Sequence, residues 1–162
     1  MLKWARGKRL KGPINLLESY RATTPHDVTL DGMVWRATGL DPYIIYSLDK
    51  HGLKGPMLIE LEIEMIEGRV YPRVYVQTRK GFTQQASELL RRTGAGFYKL
   101  HFYAWTPCRA LRLDPAEMAC AFRIRRFTLR PVSMAVFAAR TMRDGANRGD
   151  AKPEPKRLLR AM

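Results

Sequence analysis

The chain has 162 residues, 46% of them apolar, and a formal net charge of +14. That length suits a single domain with its own core, and the lack of any run of about 18 uncharged apolar residues excludes a membrane-spanning helix. Two cysteines, Cys108 and Cys120, cannot build a disulfide framework, and no CxxC or clustered His/Cys spacing accompanies them to suggest a metal.

Residues 1–27 mix Lys and Arg with Gly12, Pro13, Pro25 and a short apolar patch, INLLESY, long enough for two helical turns at most. They read as a basic N-terminal arm. Nothing in MLKWARGKRLKG has the apolar stretch of a signal peptide, so the expected location is cytoplasmic, with peripheral attachment at the inner membrane as an alternative. From residue 28 to 130 the pattern changes to short runs rich in Val, Ile, Tyr and Phe between Gly, Pro and Asp, which is how successive strands look. The expected strands are VTLDGMVWRA, YIIYSL, MLIELEIEMI, VYPRVYVQT, QQASELLRR, FYKLHFYAW, CRALRL and ACAFRIRRFTLR.

The clearest is MLIELEIEM. Met57, Ile59, Leu61, Ile63 and Met65 fall on one face and Glu60, Glu62 and Glu64 on the other, the period-two signature of a strand wet on one side. The EGR turn that follows suggests a hairpin into VYPRVYVQT, which would bring Arg73 near the glutamate row. In CRALRLDPAEMACAFRIRRFTLR, Asp114 and Pro115 break the chain by turn chemistry. The inward positions before and after are Leu111, Leu113, Phe122 and Ile124. At Arg126 the alternation slips by one residue before Phe127 and Leu129 resume it, as a β-bulge requires. The arginines of this stretch therefore follow the pleat as a solvated face.

After Arg130, PVSMAVFAARTMRDG reads as a helix over residues 131–145, starting at Pro131 and stopping at Gly145. Residues 146–162 form a basic linker and tail. The expected fold is thus all-β: a jelly-roll-like antiparallel β-sandwich of about eight strands over residues 28–130, with a basic N-terminal arm and a C-terminal helix. The charge divides as +4 on the arm, +6 on residues 28–130 and +4 beyond. Such a field attracts phosphates of nucleic acid, of nucleotide-linked substrates or of an anionic membrane, without choosing among them.

Three phrases in order carry a resemblance: WRATGLDPYIIYSL, then ELEIEMIEGRVYPRVYVQTRKGFTQQASELL, then ALRLDPAEMACAFRIRRFTLRPVS. Over roughly residues 33–133 the chain resembles the accessory β-sandwich module at the N-terminus of bacterial glycosyltransferases of O-antigen and rhamnan-type polysaccharide synthesis. In that family the catalytic domains usually follow the module. The resemblance implies a noncatalytic, carbohydrate-associated or scaffolding domain of surface-polysaccharide synthesis, partnered with a saccharide or a glycosyltransferase catalytic domain. It carries over no binding residues.

Enzyme signatures are lacking. No GxGxxG opens a helix after a strand, no GxxxxGK[ST] occurs, GAGF is a turn before a strand, and no DxD-type metal clamp is present. His26, His51 and His101 have no partner fixed by spacing, and turn formation explains Asp41 and Asp114, each before a proline. The expectation is a non-enzyme with no cofactor and no metal. The aromatic rings are the lead for binding, because sugars present apolar C–H faces that Tyr and Trp can cover. Arg73, Tyr75 and Gln77 share an outward face, as do Lys99, His101, Tyr103 and Trp105, and Trp35 beside Arg36 is a further candidate. The glycan-binding candidates are therefore Arg73, Tyr75, Gln77, His101, Tyr103, Trp105 and Trp35, with core packing the competing role for each ring. Two other classes stay open: a nucleic-acid-binding basic β-protein, and a domain that docks on an anionic membrane surface or an acidic partner.

Overall fold

The computed structural model of the chain describes residues 8–18, 24–48 and 52–146. Residues 1–7 and 19–23 of the expected arm, and 147–162 of the expected tail, lie outside the described residues. In chain order the strands are β1 (Lys8–Arg9), β2 (Ile14–Asn15), β3 (Thr24–His26), β4 (Val28–Asp31), β5 (Val34–Ala37), β6 (Tyr43–Ser47) and β7 (Leu53–Glu67). They continue as β8 (Arg73–Val76), β9 (Ser87–Leu89), β10 (Arg91–Gly94), β11 (Phe97–Cys108), β12 (Ala110–Asp114) and β13 (Ala121–Pro131), followed by one helix, α1 (Met134–Ala146).

Two sheets form. The first runs β10-β11-β7-β13-β5-β4, with β1 parallel on β7 and β2 antiparallel on β13; the second runs β3-β6-β12-β8-β9. One core joins them: Ile44, Tyr46, Val74, Leu111 and Leu113 from the second sheet meet Met57, Ile59, Leu61, Phe102, Phe127 and Leu129 from the first. The Tyr46 and Phe127 rings touch edge to face across the gap, 4.9 Å between centroids. Burying each such side chain contributes about 1.5–3 kcal/mol. The all-β sandwich and its C-terminal helix are as the alternation predicts.

The outer face of β7 shows why its glutamates tolerate their row. Lys99 on β11 and Arg130 on β13 both reach Glu60, at 2.9 and 3.3 Å, while Arg123 and Arg125 on β13 converge on Glu64. Arg125 is the extra residue of a bulge, since Ile124 faces Ile63 and Arg126 already faces Glu62. The slip read at Arg126 is thus a bulge, and Phe127 and Leu129 return fully to the core.

Several local expectations are corrected. VYPRVYVQT does not form a hairpin with β7: the chain turns at Gly68 and crosses, so β8 joins the second sheet and Arg73 lies away from the glutamates. The positions beside β7 are taken by β11 and β13, which supply the opposite charges instead. Of INLLESY, only Ile14–Asn15 pair as a strand; Leu16 and Leu17 form a turn running into a 3-10 residue at Glu18, residues 19–20 lie outside the described residues, and Leu16 enters the core with its N–H on the Phe127 carbonyl at 2.8 Å. QQASELLRR divides into a 3-10 turn over Gln84–Ala86, then β9 and β10 in different sheets, with buried Leu90 at the corner. Helix α1 begins three residues past Pro131 because Ser133 caps it, its hydroxyl accepting the Val136 N–H at 3.2 Å.

Candidate functional site

The seven candidates do not form one site. Trp35 is 6% exposed and packs in the core, which corrects its place among the ligand contacts: a ring enclosed by its own fold offers no face to a sugar. The other six divide between the two outer faces, Arg73, Tyr75 and Gln77 on the second sheet and His101, Tyr103 and Trp105 on the first.

On the second sheet, four strands contribute one stack. His26 (β3) lies parallel on Tyr43 (β6) at 4.6 Å between centroids and 19° between planes. The Arg112 guanidinium (β12) sits 3.9 Å from the Tyr43 centroid and 4.9 Å from that of Tyr75 (β8). Register explains part of this: Arg112 is directly opposite Tyr75, and His26 directly opposite Tyr43. Carboxylates close the ends of the guanidinium. Asp114 accepts from Arg112 Nε and Nη2 at 2.7 and 2.8 Å, and Asp41 accepts from Nη2 at 2.7 Å. Burial raises the Asp114 carboxyl above its ordinary range even though Arg112 bonds pull against that rise. Burial would lower the Arg112 guanidinium, but the Asp114 bonds together with the charges of Asp114 and Asp41 outweigh it and raise it overall. The Tyr75 hydroxyl bonds Gln84 at 3.1 Å and Arg73 donates to the Ser87 hydroxyl at 3.0 Å. Tyr43 is engaged by both His26 and Arg112, and Tyr75 by Arg112, so much of this ring surface is already used by the stack.

The first sheet is different. Tyr103 and Trp105 stand two residues apart on the outer side of β11, their centroids 4.1 Å apart and their planes tilted by 37°. Phe137 of α1 meets Tyr103 edge to face at 5.8 Å, and α1 lies where Leu58, outward in the alternation of β7, is buried at 2% exposure. The helix packs against this part of the sheet at Tyr103, and Trp105 beside it is 45% exposed. His101, two positions earlier, is half-buried. The pair therefore presents an aromatic surface with a fixed back and one open face.

Sequence reasoning missed Tyr43, Arg112 and His26. Two signals existed: Asp41-Pro-Tyr43 puts a carboxylate two residues before a ring, and Arg112-Leu-Asp114 puts a cation and its carboxylate partner two residues apart on one face of β12. Joining them, 71 residues apart, needs the pairing of β6 with β12.

No group of three His, Cys, Asp or Glu side chains among the described residues is placed to hold a metal ion, and no helix among them is long and apolar enough to cross a membrane. Two shallow open depressions flank Arg125, lined by Glu62 and Glu64 on one side and by Asn15 and Glu18 on the other. Neither includes the aromatic pair.

No protein-family model matches the sequence, and comparison with curated proteins gives no match. Among solved structures, the chain is similar to a low-affinity xylan-binding module, CBM86, from the gut symbiont Roseburia intestinalis, at 7% identity over 76% of this chain and 96% of that one, with a TM-score of 0.49. It is also similar to CBM35 from Paenibacillus barcinonensis, at 12% identity over 75% and 98%, TM-score 0.49. A third likeness is to the CBM22-1 xylan-binding domain from the same organism, at 16% identity over 79% and 100%, TM-score 0.47. Likeness at this level concerns the general outline of a β-sandwich and identifies no ligand.

Proposed function

We propose that the chain is a noncatalytic saccharide-binding module whose contact surface is the Tyr103–Trp105 pair. The observation that carries this reading is the open indole of Trp105, held by Tyr103, which is itself backed by Phe137. An indole offers an apolar face to the C–H side of a pyranose and an N–H edge to its hydroxyls. A fixed ring loses little freedom on binding. The link to a surface-polysaccharide glycosyltransferase, with cytoplasmic location and that enzyme's catalytic domain as partner, belongs to this proposal and is supported by the sequence resemblance alone.

A glycan array read with the full chain, followed by titration of the best saccharide, tests it. Trp105→Ala should weaken that saccharide about five- to thirtyfold, the scale of a lost stacking contact of about 1–2 kcal/mol. Tyr75→Phe, on the opposite sheet, should leave it unchanged. Absence of binding to any saccharide, or indifference to Trp105→Ala, refutes the reading.

A further inference from the structure

The cations on the outer face of the first sheet are mostly matched: Lys99 and Arg130 by Glu60, Arg123 and Arg125 by Glu64, and Arg36 by Glu67. At the Leu53 end of β7 the balance changes. Lys54 faces Arg9 of β1 directly across one side of the strand. On its other side, Ala104 of β11 faces Gly55 and Cys108 faces Leu53, so Trp105, Thr106 and Pro107 together oppose Lys54 alone. The widened stretch is held by close packing, since a Cβ on Gly52, whose φ is +76°, would lie 2.6 Å from the Pro107 Cβ.

The register thus puts Arg9 beside Lys54, with Trp105 in the widened stretch that opposes Lys54 on its other side, and all three are exposed. Arg109, also exposed, follows Cys108 at once, with its carbonyl bonded to the Leu48 N–H. Lys80 stands in the turn closed by Thr78 and Gly81, just beyond Gln77, whose N–H bonds the Ala110 carbonyl. That places both residues at the same end of the sandwich. Among the described residues, no carboxylate forms an ion pair with Arg9, Lys54, Lys80 or Arg109. Cations with no carboxylate partner among the described residues, beside an exposed ring, form a surface with two chemistries, one apolar and one anion-seeking.

We infer that this end of the sandwich recognises an anionic saccharide, one carrying sulfate, phosphate or carboxylate groups, with the sugar on Trp105 and its charge on Lys54, Arg9 and Arg109. The inference rests on the saccharide reading above and narrows its ligand class. Dextran and dextran sulfate, which share a backbone and differ in charge, probe it together with oligothymidylate. Each is titrated against the full chain, Trp105→Ala, and a quadruple variant in which Arg9, Lys54, Lys80 and Arg109 become Ala; a second, charge-reversed variant, K54E/R109E, guards against a poorly folded quadruple.

Dextran sulfate should bind at least about tenfold more tightly than dextran and weaken as salt rises. The charge variants should lose about tenfold or more on dextran sulfate while leaving dextran unchanged, and Trp105→Ala should weaken both. If the charge variants bind dextran sulfate as the parent does while Trp105→Ala still weakens it, the anion site is refuted and the saccharide surface stands. If oligothymidylate binds more tightly than dextran sulfate through these same residues, both readings fail and the surface is one for nucleic acid.

Discussion

Arg112 shows how one side chain can hold a sheet surface together. Its plane lies between Tyr43 and Tyr75, and its edges meet Asp114 twice and Asp41 once. Its side chain is only 17% exposed and that of Asp114 15%. Removing the guanidinium would leave the Asp114 carboxylate half-enclosed without its bonded cation, with only Arg73 opposite it, and two rings without their shared plane. Arg112→Ala should therefore cost about 2–4 kcal/mol, toward the range for breaking a buried pair. Arg112→Lys should recover only part of that, because an ammonium keeps the charge but loses the paired donors and the flat stacking face. Urea denaturation of the two variants measures the difference, and equal stability of Lys and Arg at this position would refute the stacking account. The individual roles of Asp41 and Asp114 were legible as turn formers; their meeting at Arg112 was not, because it depends on β6 lying beside β12.

At the scale of the element, β7 explains which sequence signals could be read and which could not. Its alternation and the slip at Arg126 are local patterns, so strand, most of the inward face and bulge follow from the residues alone, whereas Met65, inward by the same alternation, is 40% exposed near the Glu67 end of the strand. The EGR turn is also local, yet a turn does not specify whether the chain returns beside the same strand or crosses to the other sheet. Leu58 was equally opaque: it is outward by alternation yet buried, on the strand that α1 packs against. The glutamate row supplies a test of the observed pairing. The carboxyl of Glu60 is held below its ordinary value of 4.5, chiefly by the Lys99 bond, with burial opposing and Arg130 assisting. A carboxyl with a depressed folded-state pKa adds stability that is present above its unfolded value and is lost as pH falls through the folded value. Glu60→Gln should thus destabilise by about 1 kcal/mol at neutral pH. The gap from the parent should close as the solution is acidified below 4.5. A gap that persists in acid would mean the contribution is packing rather than charge.

For the molecule as a whole, the two free thiols report whether the layers stay joined. Cys108 has no exposed surface and donates to the Ala110 carbonyl at 3.2 Å, at the point where β11 of the first sheet passes into β12 of the second. Cys120, 6% exposed, lies just before β13. Burial lifts the Cys108 thiol from 9.0 to about 11, so at neutral pH it is protonated as well as hidden. A thiolate is the reactive species, and here it needs the sandwich to open. Labelling of Cys108 by an aromatic disulfide reagent should follow global unfolding and accelerate in Arg112→Ala by about tenfold for each 1.4 kcal/mol of stability lost. The same lift fixes an alkaline sign. The native state holds the Cys108 proton to a higher pH than the unfolded chain does, so this contribution is complete below 9.0 and is lost as pH rises toward about 11. Cys108→Ala should lose less stability than the parent over that interval, because every other alkaline titration is common to both. Fast native-state labelling of Cys108, or parallel alkaline curves for the two proteins, would show that the junction between the sheets is open to water.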